Sequence, residues 1–292
     1  MNTHAEAEIL SQPAIWRQAI ELYPSVAGLL PKAGQRVAFV GCGTSWFMSM
    51  VCAARREELG LGESDAFTAS EFAYGRDYDA IVVISRSGTT TEVLDLLNRL
   101  AGKNTLAITA VASAPMAGLA AQSIILDFAD EESVLQTRYA TAVLALMRTH
   151  FGEDLSGVVT ECEQMLEREL PKDMVNAEQI SFLGSGWTVG FAQEAALKTR
   201  ESAQFWAEAY PAMDYRHGPI SIAQPGRGVW IFGEPPAGLV DDITATGAAV
   251  ETSSGDPMAH LVLAQRVAVA ISQGRGLDTD NPRSLARSIV LR

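Results

Sequence analysis

The chain has 292 residues, 48% of them apolar and 20% charged, enough for one large or two medium globular domains. A net charge of −13 excludes a general nucleic-acid binder, whose affinity rests on lysines and arginines against phosphate, so any anionic ligand needs local donors. Cys42, Cys52 and Cys162 lack CxxC spacing, which argues against a disulfide framework or a zinc site, and no metal or cofactor is expected.

The first thirty residues read as an amphipathic helical segment, Ile15 to Leu22, entered through Pro13. The N-terminus lacks the basic-then-apolar layout of a secretion signal, and no apolar run is long enough to span a bilayer, so no membrane partner and a cytoplasmic location are expected. A strand at Val37–Val40 runs into Gly41-Cys42-Gly43-Thr44-Ser45 and a helix, which puts Ser45 at a helix N-terminus. After Ala69-Ser70-Glu71-Phe72, the apolar run Ile81–Ile84 reads as a buried parallel strand. It stops at Ser85-Arg86-Ser87-Gly88-Thr89-Thr90-Thr91 and passes at once into a helix with Val93, Leu94, Leu96, Leu97 and Leu100 as its apolar members. A turn of this kind aims free N–H groups, hydroxyls and the positive end of a helix dipole at one spot, where phosphate is the natural guest. Its hydroxyls outnumber what helix capping alone needs.

Further strands are expected at Thr105–Thr109 and Ser123–Leu126, followed by a helix opening at Glu131, with Ser133 in its cap region, and running to about His150. Strands alternating with helices, without hairpin signals, predict an α/β, doubly wound, parallel sheet with ligands outside the carboxyl ends of its strands. A charged helix, Val158 to Leu170, then stops at Pro171, and the opening pattern returns: Ile180-Ser-Phe-Leu-Gly184-Ser-Gly186-Trp-Thr188 repeats Val37-Ala-Phe-Val-Gly41-Cys-Gly43-Thr-Ser45 at an offset of 143 residues. The second copy lost the hydroxyl loop, since Gly228–Phe232 ends in Gly233-Glu234-Pro235-Pro236. The expected organisation is a helical segment 1–30, a first subdomain 31–155, a helical connection 156–178 and a second subdomain 179–292 that includes the tail.

The helix from Val189 to about Ala207 carries Glu194, Lys198 and Glu201 at i, i+4 and i+7, on one face. As a surface pair such residues are worth only about 0.2–0.5 kcal/mol, whereas the small apolar neighbours Phe191, Ala192, Ala195 and Ala196 suit a helix pressed on a core. His217 precedes a Gly-Pro turn beside Arg216, to which no role attaches, and His260 reads as ordinary helix decoration.

These residues together resemble the SIS (sugar isomerase) family, closest to the isomerase half of glucosamine-6-phosphate synthase and its stand-alone relatives. The shared motifs run from Glu8-Ile9 and Gln12-Pro13 through Gly41–Ser45, Ala69–Phe72 and Ser85-x-Ser87-Gly88-x-Thr90. They continue through Glu194-x-Ala-Leu-Lys198-x-x-Glu201, Ala207–Tyr210 and His217-Gly-Pro219 to Asn281-Pro-Arg283-x-Leu-Ala286. The resemblance implies two tandem subdomains, each a mainly parallel five-stranded sheet flanked by helices. It implies that Ser45, Ser85, Arg86, Ser87 and Thr90 hold a sugar phosphate, with Gln136 and Thr137 lining the sugar. Glu201 would shuttle a proton between C1 and C2 through an enediol(ate), with Lys198 near the reacting end. His217 would assist ring opening from the neighbouring subunit of a homodimer. A glutaminase half is expected to be absent, the chain beginning Met1-Asn2-Thr3-His4. The family's imine-forming tail lysine aligns with Arg287, whose guanidinium stays protonated and could instead bind the phosphate or a substrate carboxylate.

The expected activity is aldose–ketose isomerisation of an amino-sugar 6-phosphate, with or without loss of the amine. Two alternatives stand beside it: a fructosamine 6-phosphate deglycase, and a non-catalytic sugar-phosphate-binding regulator.

Overall fold

Runs of β-branched and apolar residues become strands buried along their whole length in the computed structural model, which describes residues 3–291. Helices α1 (His4–Leu10) and α2 (Gln12–Val26) open the chain; Pro13 lies in the first turn of α2, where a missing N–H costs nothing. Next come β1 (Val37–Gly41), α3 (Thr44–Glu58), β2 (Ser64–Thr68), β3 (Ala80–Ile84) and α4 (Thr91–Arg99). They are followed by β4 (Thr105–Thr109), α5 (Pro115–Leu119), β5 (Gln122–Ile125) and α6 (Arg138–His150). The later part runs through α7 (Ser156–Glu167), α8 (Lys172–Val175), β6 (Gln179–Gly184), α9 (Val189–Ala203) and β7 (Ala207–Pro211). It ends with β8 (Arg227–Phe232), α10 (Leu239–Thr244), β9 (Ala249–Thr252) and α11 (Pro257–Gly274).

The elements form two compact units that interleave in sequence. One comprises Ser11–Glu132, Gln136–Leu155 and the tail from Ala286; the other comprises the segment ending at Leu10, Ser133–Leu135 and Ser156–Leu285. Boundaries at residues 30, 155 and 178 run in simple chain order, and these units do not. The first unit holds a five-stranded sheet in the order β2-β1-β3-β4-β5, with every neighbouring pair parallel. Val40, Ile81, Val83, Val93, Leu96 and Met116 form part of its core. The second unit holds a four-stranded sheet, β7-β6-β8-β9, again parallel throughout, with Leu183, Tyr215, Val229, Ile231, Leu239 and Ile243 in one of its clusters. Burying each such aliphatic side chain contributes about 1.5–3 kcal/mol.

The repeat is real at backbone level. A Cβ on Gly41 would lie 2.5 Å from the main chain of Ser45, and one on Gly184 would lie 2.4 Å from that of Thr188. Gly43 and Gly186 both have φ of 55°. Neither turn could close so tightly with a side chain at its first position. β1 and β6 each pair with the next two strands of their unit in the same arrangement.

Four expectations need correction. The second sheet has four strands, not five, because α11 follows β9 and no further strand joins the edge among the described residues. The helix expected to open at Glu131 begins at Arg138, because the Glu131 carboxylate reaches forward to accept its first N–H groups from outside the helix. α9 ends at Ala203, where Gln204 adopts a left-handed conformation (φ 49°), and residues 207–211 turn into the edge strand β7. His260 is not surface decoration: it is 1% exposed on α11, with Trp230 at 4.8 Å between ring centroids and Glu251 Oε1 at 3.3 Å.

Candidate functional site

In the five-stranded unit the strand order reverses between β1 and β3, which is the switch point where parallel α/β sheets take ligands. Both hydroxyl-bearing turns lie there. Ser45, in the first turn of α3, is buried, and its hydroxyl makes no hydrogen bond among the described residues. In the loop after β3, Gly88 N donates to Ser85 Oγ at 3.2 Å and Thr89 N donates to Ser87 Oγ at 3.3 Å. The loop thus holds its own serines in place, with Ser85, Arg86 and Ser87 all buried. Thr90 is the N-cap of α4 but makes no side-chain cap bond, so capping does not account for its hydroxyl. Cys42 sits in the first turn, and burial pushes its thiol up, away from the reactive thiolate.

Beneath this loop lies a buried charged network that sequence reading missed. Arg86 Nη1 donates to Glu131 Oε2 at 3.0 Å, with both side chains nearly or wholly enclosed. Glu131 Oε1 accepts from Thr137 N at 2.6 Å, Thr137 Oγ1 at 3.0 Å and Arg138 N at 2.8 Å. A buried carboxylate holding a guanidinium and three further donors fixes both the Arg86 side chain and the start of α6. Gln136, expected with Thr137 to line the sugar, has its Nε2 buried without an acceptor. That orphaned donor is a place where a ligand oxygen would be satisfied. The network's sequence signal is the acidic residue Glu131 a few positions before the Thr137-Arg138 helix start.

The tail reaches the same loop. Ser288 Oγ lies 2.9 Å from Thr89 Oγ1 and 3.4 Å from Thr90 Oγ1, and Thr91 N donates to Ile289 O at 3.0 Å. The Arg287 guanidinium donates to Asp130 Oδ1 and to the Glu131 carbonyl. It is therefore bonded to protein acceptors beside the Arg86 partner, an anchor for the tail, and Ser288 joins the loop as a hydroxyl that sequence reading had not singled out.

In the four-stranded unit, α9 brings Glu194, Lys198 and Glu201 together as expected. Lys198 is 1% exposed; its Nζ donates to Glu201 Oε2 and lies 3.6 Å from Glu194 Oε1. The ammonium of this enclosed lysine thus has a carboxylate on either side, as a buried cation requires. Glu201 is 20% exposed, so one end of the triad opens outward. His217 is exposed at the end of the turn Asp214–His217, whose Tyr215 is buried, and makes no hydrogen bond among the described residues. Arg216 serves the structure: its Nε donates to Asp242 Oδ2 at 2.8 Å and its Nη2 to Ala237 O at 2.9 Å, tying that turn down. Among the described residues no group of three His, Cys, Asp or Glu side chains is placed to hold a metal ion, and no helix is long and apolar enough to cross a membrane.

Residues 29–151 match the family model of the SIS domain. The chain is similar to a glutamine–fructose-6-phosphate aminotransferase (isomerizing) of Methanothermobacter thermautotrophicus, 25% identical over 97% of this chain and 57% of that protein. It spans just over half the length of the curated relatives it matches. Among solved structures, the glucosamine-6-phosphate deaminase of Thermotoga maritima superposes with a TM-score of 0.84 at 24% identity, over 99% of this chain and 100% of that one. The tagatose-6-phosphate ketose/aldose isomerase of Escherichia coli gives 0.81 at 20% identity, covering 99% and 96%.

Proposed function

We propose that this chain, whose residues 29–151 match the SIS domain, is an enzyme that moves a proton between adjacent carbons of a sugar phosphate, most simply an amino-sugar 6-phosphate. The phosphate is assigned to Ser45, Ser85, Arg86, Ser87 and Thr90, with Gln136 and Thr137 beside the sugar. Glu201 is assigned as the base that takes a proton from one carbon of the open-chain sugar and returns it to the next, through an enediol(ate). Such general acid–base help is worth roughly 10²–10⁴-fold.

The observation that carries the proposal is Lys198. A buried ammonium costs desolvation energy, and this one holds Glu201 while touching Glu194. It holds the Glu201 carboxylate in place and steadies negative charge near the reacting carbons during the proton transfer. His217, with no hydrogen bond of its own among the described residues, is assigned to ring opening, donated across a homodimer. A sugar-phosphate-binding regulator would have no use for a lysine–carboxylate pair of this kind.

Incubation with hexose 6-phosphates, hexosamine 6-phosphates and fructosamine 6-phosphates, in deuterated water, tests the assignment. Turnover should be accompanied by solvent deuterium at C1 or C2, and Glu201→Gln should lose it while still binding the sugar phosphate. Undiminished turnover in Glu201→Gln would remove the enediol step. Mixing Glu201→Gln with His217→Ala subunits should restore part of the activity; verified heterodimers without rescue would place His217 outside a shared site.

A further inference from the structure

Glu8 on α1 and Asp280 near the end of the chain both grip the loop that carries Gln136 and Thr137. That loop runs from Glu131 to Thr137, between β5 and α6. Its base is closed by the Glu131 carboxylate, which accepts from Thr137 N and Arg138 N. Ser133, Val134 and Leu135, at its middle, belong to no strand or helix, and each donates its main-chain N–H to a separate acceptor. Ser133 N goes to Glu8 Oε1 at 3.3 Å, Val134 N to Asp280 O at 2.9 Å, and Leu135 N to Ser133 Oγ at 3.0 Å. The two distant acceptors also hold each other. The Asp280 carboxylate accepts from His4 N at 2.9 Å and Ala5 N at 2.8 Å, capping the helix on which Glu8 sits. Asp278 Oδ1 in turn accepts Asp280 N at 2.9 Å and fixes that turn.

Glu8 is 3% exposed, and a carboxylate withdrawn from water costs free energy unless it is hydrogen-bonded. Anchoring a seven-residue helix needs no charge there, because Ala5 and Ile9 already bury its apolar face. What the carboxylate adds is an acceptor for the N–H of Ser133, just before Gln136 in the chain. The Gln136 Nε2 donor is buried without an acceptor, and it serves a ligand only if the backbone beneath it is held. We infer that Glu8 is a positioning residue of the sugar site: it fixes, through Ser133, the loop that presents Gln136 to the sugar, with the Asp280 carbonyl as a second hold. This rests on the assignment of Gln136 to the sugar and of the serine loop to the phosphate.

The test separates the sugar from its phosphate. Affinities for glucosamine 6-phosphate and for inorganic phosphate are measured by calorimetry, and KM and kcat with whichever sugar phosphate turns over. Gln136→Ala and Glu8→Met, which keeps the side-chain length but removes the acceptor, should each weaken sugar-phosphate affinity roughly five- to tenfold, the range of one hydrogen bond. KM should rise accordingly with kcat nearly unchanged, and inorganic phosphate should bind as it does to the unaltered protein. The double variant should bind no more weakly than Gln136→Ala alone, because one residue acts through the other. Glu8→Gln keeps an acceptor oxygen and should keep the affinity. Glu8→Asp withdraws the carboxylate by one carbon and should lose it, a second reading if Glu8→Met does not fold. Additive losses in the double variant, equal losses for sugar phosphate and inorganic phosphate, or an undiminished sugar-phosphate affinity in Glu8→Asp would overturn the inference. If Gln136→Ala binds the sugar phosphate as tightly as the unaltered protein, the positioning role falls and the phosphate loop stands; if the unaltered protein binds no sugar phosphate, the underlying functional assignment falls with it.

Discussion

In the turn after β6 the Thr188 hydroxyl donates to Phe232 O at 2.9 Å and receives Ser185 N at 2.8 Å, whereas the equivalent Ser45 hydroxyl after β1 makes no hydrogen bond among the described residues. The two turns share a close-approach glycine and a second glycine of the same φ, so the backbone does not separate them. A single side chain does. In one copy the hydroxyl at the helix start completes the protein; in the other it is left for something else. The strand that follows confirms the contrast, because β3 ends in a serine-rich loop and β8 ends in Gly233-Glu234-Pro235-Pro236. A duplicated strand-turn-helix unit can thus keep its fold in both copies while tying up the hydroxyl at its helix start in only one; the proposed function gives the other to the sugar phosphate.

The sharpest way to break this comparison is to remove the charge beneath the open copy. Glu131 is the acceptor for Arg86, Thr137 and Arg138. Glu131→Gln should destabilise the five-stranded unit by about 3–5 kcal/mol, the range for leaving a buried charge without its partner. Denaturant unfolding followed by hydrogen exchange in β1, β3 and β4 reads it, and a loss below about 1 kcal/mol would show that Arg86 is held by other means.

The second comparison exchanges roles between equivalent positions. Thr188→Val strands Ser185 N and Phe232 O, and should cost about 2 kcal/mol of stability with sugar-phosphate affinity unaltered. Ser45→Ala strands nothing, and should leave stability within about 0.5 kcal/mol while weakening sugar-phosphate affinity severalfold. The opposite pattern would mean that the second turn, not the first, is the ligand's.

Much of this was legible in the sequence for a local reason. Strand, glycine turn and helix are determined by residues a few positions apart, so the turns at Gly41, Ser85 and Gly184 and the Glu194–Lys198–Glu201 face could all be read from spacing. What could not be read depends on distant partners. Arg86 and Glu131 are 45 positions apart, and Ser288 meets Thr89 from the other end of the chain. β2, β7 and β9 are sheet edges with half-exposed, mixed sequences such as Ser-Asp-Ala-Phe-Thr and Ala-Glu-Ala-Tyr-Pro, which carry little periodic signal. The missing fifth strand of the second sheet is likewise an absence that its repeat partner gave no reason to expect.

The smallest effect separates the two units by pH. Each contains one histidine that burial pushes below its ordinary value near 6.5: His150, whose Nε2 lies 2.7 Å from Pro31 O, and His260, which Trp230, Phe232 and Glu251 enclose. In both cases the unfolded chain takes up a proton more readily than the folded one. Stability is therefore fully present above about pH 6.5 and is lost as pH falls below it. Glu251 opposes the shift of His260 without cancelling it, and Arg168 adds to it. His260 is the more enclosed of the two, so between about pH 6.5 and 5 the four-stranded unit should lose more, on the order of 1 kcal/mol. Hydrogen exchange of peptides from β6 and β8 against peptides from β1 and β3, across that interval, measures the difference. His260→Gln should abolish it, by removing the titrating ring while keeping an amide that can donate to Glu251. Equal loosening of both sheets, or a difference that persists in His260→Gln, would trace the acid sensitivity to another group.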